Sequence, residues 1–300
     1  MAEDHVIETT DLRKRYDDVE ALRGLELQVP RGTICGFLGR NGAGKTTTIK
    51  VLLGMAKPTA GRARVFSLAA DDEPSSVAIR QRTGFVSEDK ILYSSMTVEG
   101  LIRFTAAFFP RWRPDFEQLY LRTFALRKEA TVKSLSRGGR TQLALLLALA
   151  RGAELLVLDE PTSGLDPEMI EQVLQALVAH VAREETTVFF SSHQIAEVEQ
   201  IADRVAIIDH GRSVLSGDLE DIRAAYRRVQ LVFAGTPPSD ALRGMPGIRS
   251  VRSNGRVLTV LSSEGADAVV TGAQVLNPAS IEVFPMTLKE IFLESIAVED

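Results

Sequence analysis

Residues 39–47 read Gly39-Arg40-Asn41-Gly42-Ala43-Gly44-Lys45-Thr46-Thr47, and this stretch decides the fold. It fits the pattern Gly-x-x-x-x-Gly-Lys-[Ser/Thr], follows the apolar run Thr33–Leu38 and precedes a helical pattern that ends near Gly54. Backbone N–H groups of such a loop turn toward phosphate oxygens, and the positive end of the helix dipole adds to the attraction. The alternative is a chance glycine-rich turn. We predict that the phosphates of a nucleotide contact Gly39, Asn41, Gly42, Ala43, Gly44, Lys45, Thr46 and Thr47.

Two side chains of this loop have specific roles in the prediction. Lys45 supplies a positive charge for the β and γ phosphates, and the hydroxyl of Thr46 is expected to hold Mg²⁺. A second motif, Leu155-Leu156-Val157-Leu158-Asp159-Glu160, places two carboxylates at the end of a buried strand, where α/β sheets bind ligands. Asp159 is predicted to bind Mg²⁺, and Glu160 to accept a proton from, or to orient, the water that attacks the γ-phosphate. Unless both acids merely cap a strand, the two motifs predict a nucleoside triphosphatase.

The rest of the pattern predicts an α/β fold with a phosphate-loop core. Short apolar runs alternate with longer stretches of 3.6-residue periodicity, which is typical of parallel strands joined by helices. Residues 6–27 alternate polar and apolar side chains around Asp17 and Asp18, so they predict an antiparallel β-layer at the sheet edge. Residues 89–150 show mainly helical spacing and predict a helical insert. The runs that suit buried strands are Thr33–Leu38, Leu155–Asp159, Val188–Ser191 and Arg204–Ile208.

The sequence changes character after Tyr226, so we predict two domains, residues 1–225 and 226–300. The second is expected to be a small α+β domain with short strands broken by Gly, Pro and Asn. Thr287 and Glu290 have the spacing of a capping box and predict a final helix. The expected strands of this domain are Val229–Phe233, Val251–Val260 and Ile281–Phe284.

Composition excludes several classes of protein. The 300 residues are 45% hydrophobic with a formal net charge of −5, which argues against a disordered or fibrous chain. The 40 acidic and 35 basic residues are nearly balanced, so no nucleic-acid partner is expected. A single cysteine, Cys35, excludes a disulfide framework and suits a reducing cytoplasm. No stretch approaches the about 18 apolar residues of a spanning helix, so any membrane span is expected in another chain.

Two further segments reveal a family resemblance. Leu135-Ser136-Arg137-Gly138-Gly139-Arg140 opens a strongly apolar helical stretch, and Ser163-Gly164-Leu165-Asp166 comes after the acidic motif. Together with the phosphate loop, they resemble the signature and D-loop of the ATP-binding cassette (ABC) family, with Arg137 in place of the first glycine of the signature and Gly139 in place of its glutamine. The resemblance implies that Ser136 and Gly138 meet a nucleotide phosphate and that Asp166 lies in the ATP site. Asp166 also suits the N-cap of a helix.

Three single residues fall where the ABC family has functional ones. His193, after the run Val188–Ser191, resembles the histidine that contacts the γ-phosphate; the alternative is a polar residue that ends a strand. Tyr16 lies where the family places an aromatic ring on adenine; the alternative is an ordinary aromatic of an edge strand. Glu88 replaces the usual glutamine of the Q-loop. A carboxylate there can approach Mg²⁺ or its waters, but it cannot donate a hydrogen bond as an amide does.

The resemblance therefore implies an ATPase that binds ATP and Mg²⁺. It implies the ATP-binding subunit of a bacterial ABC exporter, working as a homodimer or heterodimer with nucleotide between the subunits. The expected partner is a separate integral membrane permease, which would hold this cytoplasmic chain on the inner face of the cell membrane. Two alternatives stay open: a soluble ABC ATPase that acts on the ribosome or DNA, and a nucleotide-binding regulator without turnover.

Overall fold

Two β-sheets and a set of connecting helices make up the first part of the chain in the computed structural model, which describes residues 4–297. The chain divides into two units between Ser216 and Gly217. The strands that begin in the first unit are β1 His5–Tyr16, β2 Val19–Pro30, β3 Ile34–Leu38, β4 Ala60–Val65, β5 Leu68–Ala69, β6 Thr83–Val86, β7 Leu155–Asp159, β8 Thr187–Ser192, β9 Arg204–Asp209 and β10 Arg212–Asp218. Its helices are α1 Lys45–Leu52, α2 Glu73–Arg82, α3 Val98–Ala106, α4 Pro114–Thr123, α5 Arg137–Leu149, α6 Pro167–Glu184 and α7 Ile195–Ile201.

The larger sheet has six strands in the order β10-β9-β3-β8-β7-β6, and the run from β9 to β6 is parallel. Because β3 lies inside this sheet, the phosphate loop comes after a strand that is paired on both sides. The register pairs Leu38 with Ser192, Asp159 with Ser191, and Val86 with Leu158. The loops after β3, β6, β7 and β8 therefore meet at one edge of the sheet.

The smaller sheet is the predicted antiparallel layer, with the order β2-β1-β4-β5. Its longest pairing runs from His5 opposite Pro30 to Tyr16 opposite Val19. Its buried side chains join those of α1 and of the parallel sheet in one core, where the rings of Phe37 and Phe189 lie 5.1 Å apart. Truncating a buried phenylalanine of this kind to alanine costs about 3–5 kcal/mol.

The predicted helical insert is formed by α3, α4 and α5. Helix α5 is apolar on nearly all sides, because it packs against α3, α4, α6 and β6. The insert also contacts α6 directly, where the hydroxyl of Tyr120 and Nδ1 of His180 lie 3.1 Å apart. Burial lowers the pKa of His180 to about 4, with Arg113 and Arg183 adding to the effect. His180 is therefore neutral at neutral pH.

The second unit contains a four-stranded antiparallel sheet with the order β12-β13-β11-β14. Its elements are α8 Leu219–Ala225, β11 Arg227–Val232, β12 Ile248–Asn254, β13 Val257–Ser262, α9 Asp267–Gln274, β14 Ser280–Pro285 and α10 Leu288–Ala297. This unit begins before the predicted boundary at residue 226, because α8 belongs to it: Gly265 N–H donates to the carbonyl of Ala225.

The sequence pattern described this unit less well than the first. The single strand predicted for Val251–Val260 is two strands, because the chain turns between Asn254 and Val257, with Gly255 at φ +58°. Helix α9 was not predicted. The capping box was predicted correctly: Thr287 N–H donates to Glu290 Oε2 at 2.9 Å, and Glu290 N–H donates to Thr287 Oγ1 at 3.3 Å. Within residues 4–297, no helix combines the length and the apolar character needed to cross a membrane.

Candidate active site

The phosphate loop brings the chain from β3 into α1 through two glycines with left-handed backbone. Gly42 has φ +82° and Gly44 has φ +112°. A Cβ on Gly44 would lie 2.8 Å from the carbonyl oxygen of Ala21, so both the backbone conformation and the packing require glycine there. Gly44 is the N-cap of α1, and no side chain caps this helix. The first N–H groups of α1 therefore remain free of a side-chain acceptor.

Lys45, Glu160 and His193 form the centre of the site. Lys45 Nζ donates to the carbonyl of Gly39 at 2.7 Å and lies 3.1 Å from Glu160 Oε1. The Lys45 and Glu160 side chains are each only 7% exposed, so their opposite charges compensate each other away from water. Glu160 Oε2 lies 2.7 Å from His193 Nδ1. Because an ionised carboxylate can only accept, the Nδ1–H form of His193 is the donor.

The backbone of Glu160 is unusual for a residue with a side chain. Its φ of +47° lies in the left-handed region, which costs about 1–2 kcal/mol for an L-residue. Its N–H donates to Ser191 Oγ at 3.0 Å, and its carbonyl accepts from Lys90 Nζ at 2.9 Å and from Ser163 N–H at 3.2 Å. Tertiary contacts thus hold Glu160 in a strained conformation at the sheet edge.

Asp159 lies beneath Glu160 as the last residue of β7. Ser191 Oγ donates to Asp159 Oδ1 at 2.6 Å, which orients the carboxylate. Neither the sequence pattern nor the family resemblance indicated Ser191, although the pairing of β7 with β8 places it beside Asp159.

The residues predicted for Mg²⁺ offer oxygen atoms only, which suits this ion. They are the hydroxyl of Thr46 and the carboxylates of Asp159 and Glu88. Within residues 4–297, no three or more His, Cys, Asp or Glu side chains form a metal cluster. A site built from one or two carboxylates, a hydroxyl and substrate phosphates does not require such a cluster.

A cavity of about 360 Å³ shows which predicted residues come together. It is lined by the phosphate loop and by side chains from three other loops at the same sheet edge. Its lining consists of Ala21, Arg40, Asn41, Gly42, Gly44, Lys45, Thr46, Thr47, Glu88, Glu160, Ser163 and His193. Three other predicted residues, Gly39, Ala43 and Asp159, do not line the cavity. Tyr16 does not line the cavity either. The residue is 42% exposed, and Lys14 Nζ lies 4.6 Å from its ring centroid. The lining residue that comes from the antiparallel layer is Ala21.

The signature residues also lie outside the cavity lining. Ser136 is the N-cap of α5, where its Oγ accepts from Gly139 N–H at 3.0 Å. A Cβ on Gly138 would lie 2.2 Å from Met169 Sδ, so a glycine allows α5 to approach the start of α6. Asp166 caps α6 by accepting from Met169 N–H at 2.9 Å. The single chain therefore provides two separate groups of predicted ATP contacts.

Comparisons with known proteins point to one family. The family model described as ABC transporter matches residues 22–163. The bacitracin transport ATP-binding protein BcrA of Bacillus licheniformis is 37% identical over 69% of this chain and 68% of its own length. The daunorubicin resistance ATP-binding protein DrrA3 of Streptomyces coeruleorubidus is 33% identical over 98% of this chain and 95% of its own. The chain belongs to the ABC transporter ATP-binding family.

Solved structures support the same assignment. An ATP-binding subunit of an ABC transporter superposes with a TM-score of 0.66 at 29% identity, covering 73% of this chain and 92% of that one. A dimeric bacterial ABC transporter cassette has a TM-score of 0.65 at 22% identity, covering 71% and 98%, which shows the shared fold. The expected fold class and ATPase activity are therefore confirmed: this ABC protein is an ATPase subunit of a transporter.

Proposed function

We propose that this chain powers an exporter by binding and hydrolysing ATP between two ATPase subunits. Export is supported by the names of its relatives, which include a daunorubicin/doxorubicin resistance protein of Streptomyces peucetius, 36% identical over 73% of this chain and 67% of that protein. The observation that carries the proposal is the contact of Glu160 with both Lys45 and His193 at the phosphate-loop cavity. This arrangement joins a phosphate-binding cation to a carboxylate suited to activating water.

ATP binding is assigned to the phosphate loop. Its backbone N–H groups and Lys45 would bind the phosphates, and Thr46 and Asp159, with Glu88, would hold Mg²⁺ through oxygen atoms. Mg²⁺ would supply neutralisation of the developing negative charge on the β and γ phosphates. Tyr16 is retained as the proposed adenine contact, although it lies outside the cavity lining.

Glu160 is assigned the role of orienting the attacking water and accepting its proton. The hydrogen bond from His193 fixes the direction of the Glu160 carboxylate, and His193 itself lines the cavity where the γ-phosphate would lie. Because Lys45 and His193 both contact the carboxylate, it needs little reorganisation when the water attacks.

The second subunit is assigned the signature contacts. Ser136, Gly138 and Asp166 lie outside the cavity of their own chain, so we assign them to the ATP bound by the partner subunit. ATP would then join the two subunits and hydrolysis would release them. All lining residues of the cavity precede Ser216, so the first unit serves as the catalytic cassette and the second as an accessory domain.

The permease partner requires an exposed apolar surface on this chain. Ile91, Tyr93, Phe104 and Phe108 are exposed, and they form such a surface beside the loop after β6. The ring centroids of Tyr93 and Phe104 lie 5.6 Å apart, and those of Phe104 and Phe108 5.2 Å. A permease bound there would hold the chain at the inner face of the cell membrane. Because Ile91 is only three residues after Glu88, a movement of the permease would also displace Glu88.

Replacing Glu160 tests the proposed chemistry. Glu160→Gln should bind MgATP and yet hydrolyse it at least about 100-fold more slowly, because the amide cannot accept the proton. ATP should then convert the variant from monomer to dimer, which light scattering after size-exclusion chromatography measures. Glu171→Gln, on the exposed side of α6, is the matched control and should retain full turnover. Unchanged turnover in Glu160→Gln would refute the assignment.

A second experiment separates transport from the ribosome or DNA alternative. The tagged chain should co-purify with a polytopic membrane protein from detergent-solubilised membranes, and Phe108→Ser should abolish this association without changing the ATPase rate of the purified chain. Val178→Ser, at an exposed apolar position on α6, should leave the association intact. Co-sedimentation with ribosomes in place of a membrane protein would contradict the transport proposal.

A further inference from the structure

Lys90 is a buried lysine that neither the motifs nor the proposed mechanism uses. The residue is 8% exposed, and its Nζ donates to the backbone carbonyl of Glu160 at 2.9 Å. Its own backbone has φ +45°, and its N–H donates to the carbonyl of Ser87 at 3.2 Å. The chain after β6 therefore turns sharply, and this turn brings a cation back to the end of β7.

The charges around Lys90 explain why a cation is tolerated there. Burial lowers the pKa of Lys90, and nearby Arg137 lowers it further. Glu88, Asp159 and Glu160 act in the opposite direction. Lys90 thus lies among the carboxylates of the predicted nucleotide site, as Lys45 does. The two lysines contact different parts of Glu160: Lys90 contacts its backbone carbonyl, and Lys45 contacts its carboxylate.

The contacts of Glu160 show what Lys90 adds. Lys45 and His193 hold its carboxylate, and Ser191 holds its N–H. The carbonyl accepts from Ser163 N–H within the same turn and from Lys90. The hydrogen bond from Lys90 therefore joins the carbonyl of Glu160 to the loop after β6. The same loop contains Glu88, which lines the cavity.

We propose that Lys90 is a positioning residue for ATP hydrolysis, which ties the loop of residues 87–90 to the left-handed backbone of Glu160 and so keeps its carboxylate in reach of the attacking water. The inference rests on the role proposed above for Glu160. A displacement of about 1 Å in such a carboxylate can reduce turnover by up to about 100-fold. Lys90 is thus expected to act on kcat through Glu160.

Lys90 variants of the full chain give the first test. Lys90→Met should reduce kcat about tenfold and change KM and the Kd for MgATP by less than about twofold. Lys90→Arg, which keeps a charged donor, should restore most of the rate. Lys128→Met, at a half-buried lysine of the helical insert, is the matched control and should behave as wild type. If Lys90→Met does not fold, Lys90→Gln replaces it with the same expectation.

A double-mutant cycle decides whether Lys90 acts through Glu160. In single-turnover experiments, adding Lys90→Met to Glu160→Gln should cause no further loss, because the group that Lys90 positions is already absent. An equal loss in both backgrounds would overturn the inference, as would full activity of Lys90→Met. Recovery of Lys90→Met by Glu88→Gln would also overturn it, because it would show that Lys90 only balances the charge of Glu88. If Glu160→Gln itself keeps full turnover, the proposed function of Glu160 fails instead.

Discussion

The two helices that carry the predicted phosphate contacts, α1 and α5, begin in different ways. Helix α1 begins after Gly44, whose missing side chain leaves the first N–H groups without a side-chain cap. Helix α5 begins after Ser136, whose hydroxyl oxygen already accepts from Gly139 N–H. The first terminus therefore leaves its N–H groups open to the predicted phosphate, whereas the second already has one N–H group bonded within its own chain and can offer the hydroxyl hydrogen of Ser136.

The two helices also differ in what anchors them. Residues Ile49 and Leu52 of α1 are fully buried in the core between the two sheets. Helix α5 belongs to the insert, whose contacts with the rest of the unit include the Tyr120–His180 pair. This difference teaches that one of the two predicted phosphate contacts is anchored in the core between the sheets, while the other belongs to an insert that separate contacts position.

The largest effects are expected from substitutions that remove the predicted phosphate contacts of α1 and α5 one at a time. Lys45→Ala should weaken MgATP binding to the single subunit about 10- to 100-fold, because a charge-assisted contact is lost. Ser136→Asp should leave that binding unchanged and reduce hydrolysis about 100-fold, because its charge repels the partner's γ-phosphate. Equilibrium binding at low protein concentration and steady-state turnover measure both effects.

A matched variant protects this test from folding artefacts. Aspartate and asparagine both cap helices well, so Ser136→Asp and Ser136→Asn should keep the stability of α5. Ser136→Asn lacks the negative charge and should lose far less activity. If Ser136→Asp weakens binding to the single subunit as strongly as Lys45→Ala, the division of the site between subunits is wrong.

Acid should lower the free energy of unfolding through His180, the residue of α6 that contacts Tyr120 of the insert. The folded pKa of His180 is lowered by burial from 6.5 to about 4, so the unfolded chain takes up a proton at a higher pH than the folded one. The free energy of unfolding should therefore fall as pH decreases from about 6.5 to about 4, by about 3 kcal/mol from this group. Urea unfolding at several pH values should show the loss in wild type and a smaller one in His180→Gln.

The control for this pH dependence is the exposed His210. His210→Asn keeps a residue that tolerates the left-handed backbone at this position, where φ is +43°. It should retain the full acid dependence of wild type. If His180→Gln and wild type lose the same free energy between pH 6.5 and 4, the assignment of the effect to His180 is contradicted.

Substituting a glycine at the start of each helix measures how closely the surrounding atoms pack against it. Gly44→Ala should cost about 2–3 kcal/mol, because its φ is positive and its Cβ would meet the backbone of Ala21. Gly138→Ala should cost about 1 kcal/mol, because the atom its Cβ meets, Met169 Sδ, belongs to a flexible side chain. Thermal or urea unfolding measures both, and adding Met169→Ala should relieve only the second clash.

The smallest effect concerns Glu88, which would add negative charge beside Asp159 and the phosphates. If Glu88 faces Mg²⁺, Glu88→Gln should bind ATP a few-fold better at low Mg²⁺ and equal wild type at saturating Mg²⁺. ATP titrations at several Mg²⁺ concentrations measure this, with Glu99→Gln on α3 as the control. Parallel curves for Glu88→Gln and wild type would remove the metal-facing role.

The sequence indicated the first unit better than the second because its motifs carry strong local constraints. The glycines of the phosphate loop and the apolar run before Asp159 each specify a strand and the loop at its end within a few residues. Residues 226–300 lack such motifs, and their periodicity did not separate β12 from β13 or reveal α9. The capping box at Thr287 was found because its hydrogen bonds join residues only three apart.

By itself, the sequence determined the phosphate loop, the acidic pair, the antiparallel layer, the helical insert and the ABC resemblance, because each depends on spacing within a short segment. The tertiary structure decided that Glu160 lies between Lys45 and His193, that Ser191 orients Asp159, and that Lys90 returns to the carbonyl of Glu160. These contacts join loops far apart in the chain, so they depend on the order and register of the parallel strands. The left-handed turns that aim Lys90 and Glu160 have no signature in the identity of either residue, since lysine and glutamate rarely adopt them.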